Sequence, residues 1–516
     1  MKQILMKKFS IIFIIILIFL LFFLFLHKNM GENNKLITTT SKYIPIEVKR
    51  FLKNTIFIFK QNELDKNLIK QKQSTIEYLN LKINTVLSDH FRDIYDEALN
   101  LGYIPVNKLN DDEIININGS NFLFEKFRTF LINTSKFPSS KSNSYIELYN
   151  DELILVSAHG IFAHTKITNF NNDQLELDII KSNITEIVKY EDFYLPSQFG
   201  IKDTLIVNNL LFISLVNEMT PNSRCFNTSV FVANIDLQEL RFKKLFEPNE
   251  CINENNEFLN TFGAHNSGGR MFMAKDNTLL MTTGEYEYMT KSQDLESVFG
   301  KLISIQIDIE QISKSSFEEI HKYEIVASGL RNPQGLYYSN VTDRIYLTDH
   351  GPEGGDEINM LEYKSDQNNV YNFGWPISSY GNHYNYLKGI SKELNNLAPL
   401  YKSHSNYNFI EPIKVFTPSI GISQIIEVDH NFMSPLSEST IIASSLGNQV
   451  QEGDMSLHII DFDKDFNIER ISIEPLLGLS GEAERIRDIS YYKDRNQIFL
   501  FLETTGSIGI LSAETK

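Results

Sequence analysis

Apolar positions fall into three regimes along the chain, and each predicts a different kind of structure. From Phe9 to Leu26 they are unbroken but for Ser10, eighteen residues that just reach across a bilayer core as a helix. From Pro45 to Leu101 there is no glycine and no further proline. Leu64, Leu68, Ile69, Ile76, Leu79 and Ile83 recur there at three, four and seven spacing, which predicts an amphipathic helix. Its heptads are irregular and interrupted by Asn and Gln, so a self-associating coiled coil and a helix folded on the main domain both satisfy the pattern. Beyond Gly102, β-branched and aromatic runs alternate with Asn, Asp, Gly and Ser clusters, as in Tyr145 to Val156, Thr204 to Val216, Met271 to Thr283, Leu302 to Ile309, Ser439 to Ser444, Leu457 to Phe462 and Gln497 to Leu502. Strands with frequent turns and no long helices predict an all-β sandwich, barrel or propeller, and about 400 residues exceed one ordinary sandwich.

An Asp-Asn or Asp-Arg turn followed by an apolar strand recurs at Lys275 to Thr283, Thr342 to Thr348 and Lys493 to Leu502, and favours the propeller, each copy standing for the inner hairpin of one blade. The expected organisation is a cytoplasmic tip and transmembrane anchor over residues 1–30, a helical stalk over 31–102 and a β-propeller over 103–516.

Charge refines the address. Lys2, Lys7 and Lys8 precede the apolar run and Lys28 alone closely follows it, a bias that holds the N-terminus in the cytoplasm and exports the remainder. The competing reading, a cleaved signal peptide, lacks a small-residue pattern after the run. The expected location is therefore a single-pass inner-membrane protein with its large domain in the periplasm or outside the cell. A net charge of -17 with no concentrated basic face excludes nucleic acid as a partner. Cys225 and Cys251 leave two readings open in an exported chain, one disulfide or two free thiols.

Candidate chemistry concentrates in three segments: Gly263 to Gly269 (GAHNSGG), Ser328 to Pro376 with its Arg331-Asn332-Pro333 and His350-Gly351-Pro352 steps, and Arg485 to Asp488 (RIRD). His265 lies among glycines on a loop and can take a proton near neutral pH. Pro333 holds Asn332 extended. Arg485 and Arg487 alternate, share one face and need an anion between them; salt bridges to the flanking Glu484 and Asp488 are the local alternative.

Together these segments resemble the soluble quinoprotein glucose dehydrogenase and aldose sugar dehydrogenase (glucose/sorbosone dehydrogenase) family, from about Phe199 to the C-terminus. The resemblance implies six blades, pyrroloquinoline quinone (PQQ) and Ca2+ as cofactors, and oxidation of an aldose at the anomeric carbon, with electrons passing to a membrane quinone or a soluble carrier. It implies that His265 is the general base, that Arg331 stabilises developing negative charge, and that Asn332, Arg485 and Arg487 hold the cofactor. Gly351 and Pro352 would offer backbone carbonyls to Ca2+, Asp356 and Glu357 could serve a second, structural Ca2+ or form a solvated turn, and Glu285 would be the carboxylate near the base.

The pattern fails at two places. Gly447, in SLGNQ, stands where the family carries a cofactor-binding lysine, and Leu155 to Phe162 (LVSAHGIF) stands for a Gly-Leu-Leu loop. These departures support an alternative, a non-catalytic propeller that kept the scaffold and lost PQQ. A homo-oligomer through the stalk is a further expectation.

Overall fold

The computed structural model describes residues 95–513 apart from 110–112, 118, 130–142, 189–198, 255–262, 364–368, 385–390, 430–431, 433–438, 448–454, 464, 466 and 476–483. The expected anchor at 9–26 and most of the expected stalk lie outside the described residues. Among those described, no helix is long and apolar enough to cross a membrane.

Strand follows strand in antiparallel meanders of four. Blade 1 is Ser144–Tyr149, Glu152–Ser157, Phe162–Lys166 and Gln174–Ser182. Blade 2 is Gly200–Val207, Leu210–Glu218, Cys225–Asn234 and Lys243–Phe246; blade 3 is Gly268–Met273, Thr278–Thr283, Lys301–Gln306 and Glu324–Ser328. Blade 4 is Pro333–Ser339, Arg344–Asp349, Asp356–Glu362 and Lys414–Phe416; blade 5 is Ile422–Val428, Ser439–Ser445, Ser456–Phe462 and Ile468–Pro475. Blade 6 takes Ile486–Tyr492, Gln497–Leu502 and Ser507–Ala513 from the C-terminal end and Ser120–Thr129 from far upstream. The first strand of each blade packs against that of the next, blade 6 returning to blade 1, so the described sheets form a closed ring, the arrangement of a β-propeller.

Three of the apolar runs above, Tyr145 to Val156, Thr204 to Val216 and Met271 to Thr283, are hairpins rather than single strands. Their turns carry Asn150, Asn208, Asp276 and Asn277 at positive φ, as do Asp343 and Asn496 in blades 4 and 6. Asn and Asp tolerate the left-handed region that such turns require.

The core is divided among the gaps between blades. Each of six apolar clusters joins one blade to its neighbour, as where Phe212 and Val230 of blade 2 meet Met281 and Ile303 of blade 3, or Phe127 and Phe499 of blade 6 meet Leu153 and Ala163 of blade 1. A blade covered on both faces needs apolar residues on both, which is why Leu210–Glu218 is buried almost throughout instead of alternating. Tyr103–Lys108 pairs with Ser120–Thr129 on one side and Gln174–Ser182 on the other, tying the outer edges of blades 6 and 1. Residues 95–101 are helical, and Tyr95 and Ala98 enter the cluster between those blades. Cys225 and Cys251 form a disulfide in blade 2.

Candidate active site

A cavity of about 520 Å3 takes wall residues from all six blades. Asn143 and Tyr145 come from blade 1, Lys202 from blade 2, and His265, Asn266 and Glu287 from blade 3. Blade 4 gives Arg331, Asn332, Gln334, His350, Gly351, Pro352 and Asp356, and its long excursion gives Tyr384. Ser419, Gly421 and Leu446 belong to blade 5, and Arg485, Arg487 and Glu503 to blade 6. Eight residues singled out in the sequence thus meet in one space: His265, Arg331, Asn332, Gly351, Pro352, Asp356, Arg485 and Arg487.

His265 sits on a short turn, Ala264–Asn266, and is 41% exposed, open to a ligand. Its Nε2 lies 3.3 Å from Glu287 Oε1. Glu287 was not anticipated. It follows Tyr286, and the two have φ of 66° and 53°, a left-handed conformation that non-glycine residues adopt at a cost of about 1–3 kcal/mol each. The turn is held by Tyr286 N donating to Asn266 O at 3.1 Å and by the Tyr286 hydroxyl meeting Thr228 Oγ1 at 2.7 Å. Gly263 clears space for the carboxylate, since a Cβ there would lie 2.2 Å from Glu287 Cγ. Glu285, the expected partner of the base, instead accepts from Asn266 Nδ2 at 3.0 Å, and its Oε2 has no hydrogen-bond partner among the described residues. Burial pushes its carboxyl up to about 7 against the opposing pull of Arg331.

Arg331 is fixed from both ends. Asp349 accepts the Arg331 amide at 2.8 Å and the Asn332 amide at 2.6 Å, while Arg331 Nη1 donates to the carbonyls of His350 at 3.2 Å and Gly351 at 2.9 Å. Trp375 and Tyr384 lie under its guanidinium at 5.6 and 5.9 Å. Asn332 Oδ1 accepts from Gly268 N at 3.3 Å and Gln334 Nε2 at 2.9 Å.

Arg485 and Arg487 do share the cavity wall, but the anion between them is Glu503, also missed in the sequence. Arg485 Nε donates to Glu503 Oε2 at 2.8 Å and Arg487 Nη2 to Oε1 at 3.0 Å. Burial alone would raise that carboxyl; the guanidiniums of Arg487 and Arg485 outweigh it and hold the acid at about 2. The local pairing with Glu484 and Asp488 does not form. Glu484 pairs with Lys126, and Asp488 accepts from Arg270 Nη1 at 2.8 Å.

Asp356 and Glu357 are not brought to a common ion, because neighbours on a strand face opposite ways. Asp356 accepts the amides of Gly351, Ile420 and Ile422 at 3.0 to 3.1 Å, whereas Glu357 meets His404 Nε2 at 3.2 Å on the other side. Among the described residues no three His, Cys, Asp or Glu side chains gather as a metal site. Gly447 offers only a carbonyl, which accepts from Arg485 Nη1.

The donor set suits an anionic ligand. Lys202, Arg331, Arg485 and Arg487 line the space against Glu287, Asp356 and Glu503, and the last two acids are already saturated by donors. Arg487 Nε is a buried donor with no acceptor among the described residues, so protein groups leave part of that guanidinium unmatched. A flat tricarboxylate such as PQQ fits this wall. For a hard cation, the carbonyls of Gly351 and Pro352 are suitable in kind; both accept hydrogen bonds, from Arg331 at 2.9 Å and from Ser419 Oγ at 3.4 Å.

A family model described as Glucose / Sorbosone dehydrogenase matches residues 180–510. An aldose sugar dehydrogenase of Escherichia coli strain K12 is 32% identical over 123 residues, 23% of this chain and 32% of that protein. An uncharacterised protein of Synechocystis is 26% identical over 258 residues, 48% of this chain and 56% of its own. The chain therefore spans about half or less of these relatives' lengths. Among solved structures, the apo form of the soluble aldose sugar dehydrogenase of Escherichia coli superposes with a TM-score of 0.51 at 18% identity, covering 72% of this chain and 96% of that one. A glucose dehydrogenase superposes with a TM-score of 0.51 at 17% identity over 73% and 99%. At such identities the superpositions establish the fold.

Proposed function

The chain belongs to the glucose/sorbosone dehydrogenase family, and from that premise we propose that it oxidises an aldose at the anomeric carbon with PQQ as its cofactor. The observation that carries this reading is the meeting of His265, Arg331, Asn332, Arg485 and Arg487, from blades 3, 4 and 6, in one cavity. The five also have partners within the protein, yet all face one space, which packing alone does not require.

When bound, PQQ supplies a two-electron acceptor for the hydride leaving the anomeric carbon, so that the sugar becomes a lactone. His265 takes the proton of the anomeric hydroxyl, and the Glu287 carboxylate beside Nε2 orients the ring and stabilises the imidazolium that results. Arg331, locked by Asp349 and by two carbonyls, presents positive charge without having to reorganise. Arg485 and Arg487, splayed on Glu503, hold cofactor carboxylates together with Asn332. Ca2+ would be held by the Gly351 and Pro352 carbonyls.

The electron acceptor is a membrane quinone or soluble carrier reached from the outer side of the inner membrane, the chain being anchored through residues 9–26. The lysine bias around that run supports this placement, as does the Cys225–Cys251 disulfide, which suits an oxidising compartment. The test is sugar-dependent reduction of an artificial acceptor by PQQ-loaded protein. His265→Ala lowers kcat by about 10^2 to 10^4 if it is the base. An undiminished rate in that variant removes His265 from the mechanism.

A further inference from the structure

The innermost strands of blades 2 to 6 share an irregularity near their starts. Register shifts lie between Ile201 and Asp203, Gly268 and Met271, Pro333 and Gly335, Ile422 and Ile425, and Ile486 and Asp488. A bulge leaves a residue out of the ladder and re-aims its side chain. In blades 2, 4 and 6 the residue skipped is Lys202, Gln334 and Arg487, and all three line the cavity. One repeated backbone device thus turns three side chains toward one ligand space. Gln334 Oε1 accepts from Arg487 Nη1 at 3.3 Å, so two of the three already act together. Lys202 holds the corresponding place in blade 2.

Its surroundings are built for it. Lys202 is 8% exposed, and the next residue, Asp203, turns away to meet Arg270 at 2.7 Å. Blade 3 makes room for the lysine stem at Gly269, whose φ is 109° and where a Cβ would lie 2.6 Å from Lys202 Cβ. Burial first, and then the like charge of Arg487, pushes the ammonium down to about 7. Lys202 and Arg487 are like charges on one cavity wall, and an anionic ligand beside both lowers their mutual repulsion.

Resting on the reading of this cavity as a PQQ site, we infer that Lys202 is an anion-binding residue of that site, supplying from blade 2 the charge-assisted contact to a cofactor carboxylate that Gly447 does not supply from blade 5. Methionine and glutamine both keep an unbranched stem where Gly269 makes room for it, so these two substitutions test the charge of Lys202 and not the packing of its stem.

The experiment is calorimetric titration of the full chain in detergent with PQQ and Ca2+, for wild type, Lys202→Met and Lys202→Gln, alongside the thermal midpoint of each without cofactor. Affinity is expected to fall about ten- to a hundredfold in both variants, as for loss of one charge-assisted contact, with each variant still folded without cofactor. A folded variant that binds PQQ within twofold of wild type overturns the role of Lys202 and leaves the cofactor site standing. Failure of both variants to fold also overturns it, since the residue would then serve the fold. Wild type that does not bind PQQ overturns the cofactor reading itself, an outcome read before any variant is compared.

Discussion

Two glutamates, Glu285 and Glu287, flank the turn opposite His265 and carry different loads. Glu287 touches the imidazole, so Glu287→Gln is expected to lower kcat at least about tenfold while PQQ affinity stays within about twofold, with Glu287→Asp recovering part of the loss. Steady-state rates and a cofactor titration on the same preparations separate the two effects. Glu285 is buried, and its carboxyl titrates near about 7 in the fold against about 4.3 in an unfolded chain. The native state therefore binds more protons between those values. This contribution to stability is complete below about pH 4 and is lost as pH rises through 7. Glu285→Gln should accordingly flatten the decline of the cofactor-free thermal midpoint between pH 5 and 8, and parallel wild-type and variant curves would refute it. His265, Arg331, Asn332, Arg485 and Arg487 were legible because each stands in a short motif. Glu287, Glu503 and Lys202 were not, because their relevance comes from a left-handed turn, a neighbouring strand and a bulge, none of which leaves a pattern of apolar spacing.

The blades themselves were announced by their turns, since Asp or Asn at positive φ recurs between first and second strands. What the pattern did not reveal is how the blades are bolted together. Arg270, 2% exposed, donates to Asp203 at 2.7 Å, Asp488 at 2.8 Å, the Gln334 carbonyl at 2.7 Å and the Arg487 carbonyl at 3.0 Å, joining blades 2, 3, 4 and 6 beneath the cavity wall. Asp488 in turn accepts the Ile146 amide of blade 1 at 2.9 Å. Arg270→Met leaves two buried carboxylates without their cation and is expected to cost about 3–5 kcal/mol in urea unfolding. A loss below about 1 kcal/mol would show that the charges are replaceable there. Opening the Cys225–Cys251 disulfide by Cys→Ser at both positions frees a 26-residue loop and should cost about 3–4 kcal/mol in the same assay, with PQQ affinity retained.

At the scale of the molecule, ring closure joins Ser120–Thr129 to Ser507–Ala513, a pairing across most of the chain that no local pattern encodes. Recognisable motifs begin only near blade 2; blade 1 was legible only as the apolar run Tyr145 to Val156, and the strand at Tyr103–Lys108 emerged from the structure. The charge balance also differs by scale: a chain of net -17 concentrates Lys202, Arg331, Arg485 and Arg487 in one cavity. That contrast suits a ligand bearing several carboxylates, and so PQQ-dependent sugar oxidation. Its most direct test is a single-turnover measurement, in which the full chain loaded with PQQ and Ca2+ is mixed with an aldose and the quinone absorbance is followed. Stoichiometric reduction is expected in wild type, at least about a hundredfold slower in His265→Ala. Bound PQQ whose spectrum no aldose changes, or failure to bind PQQ at micromolar concentration, would contradict it and favour a propeller that binds without catalysing.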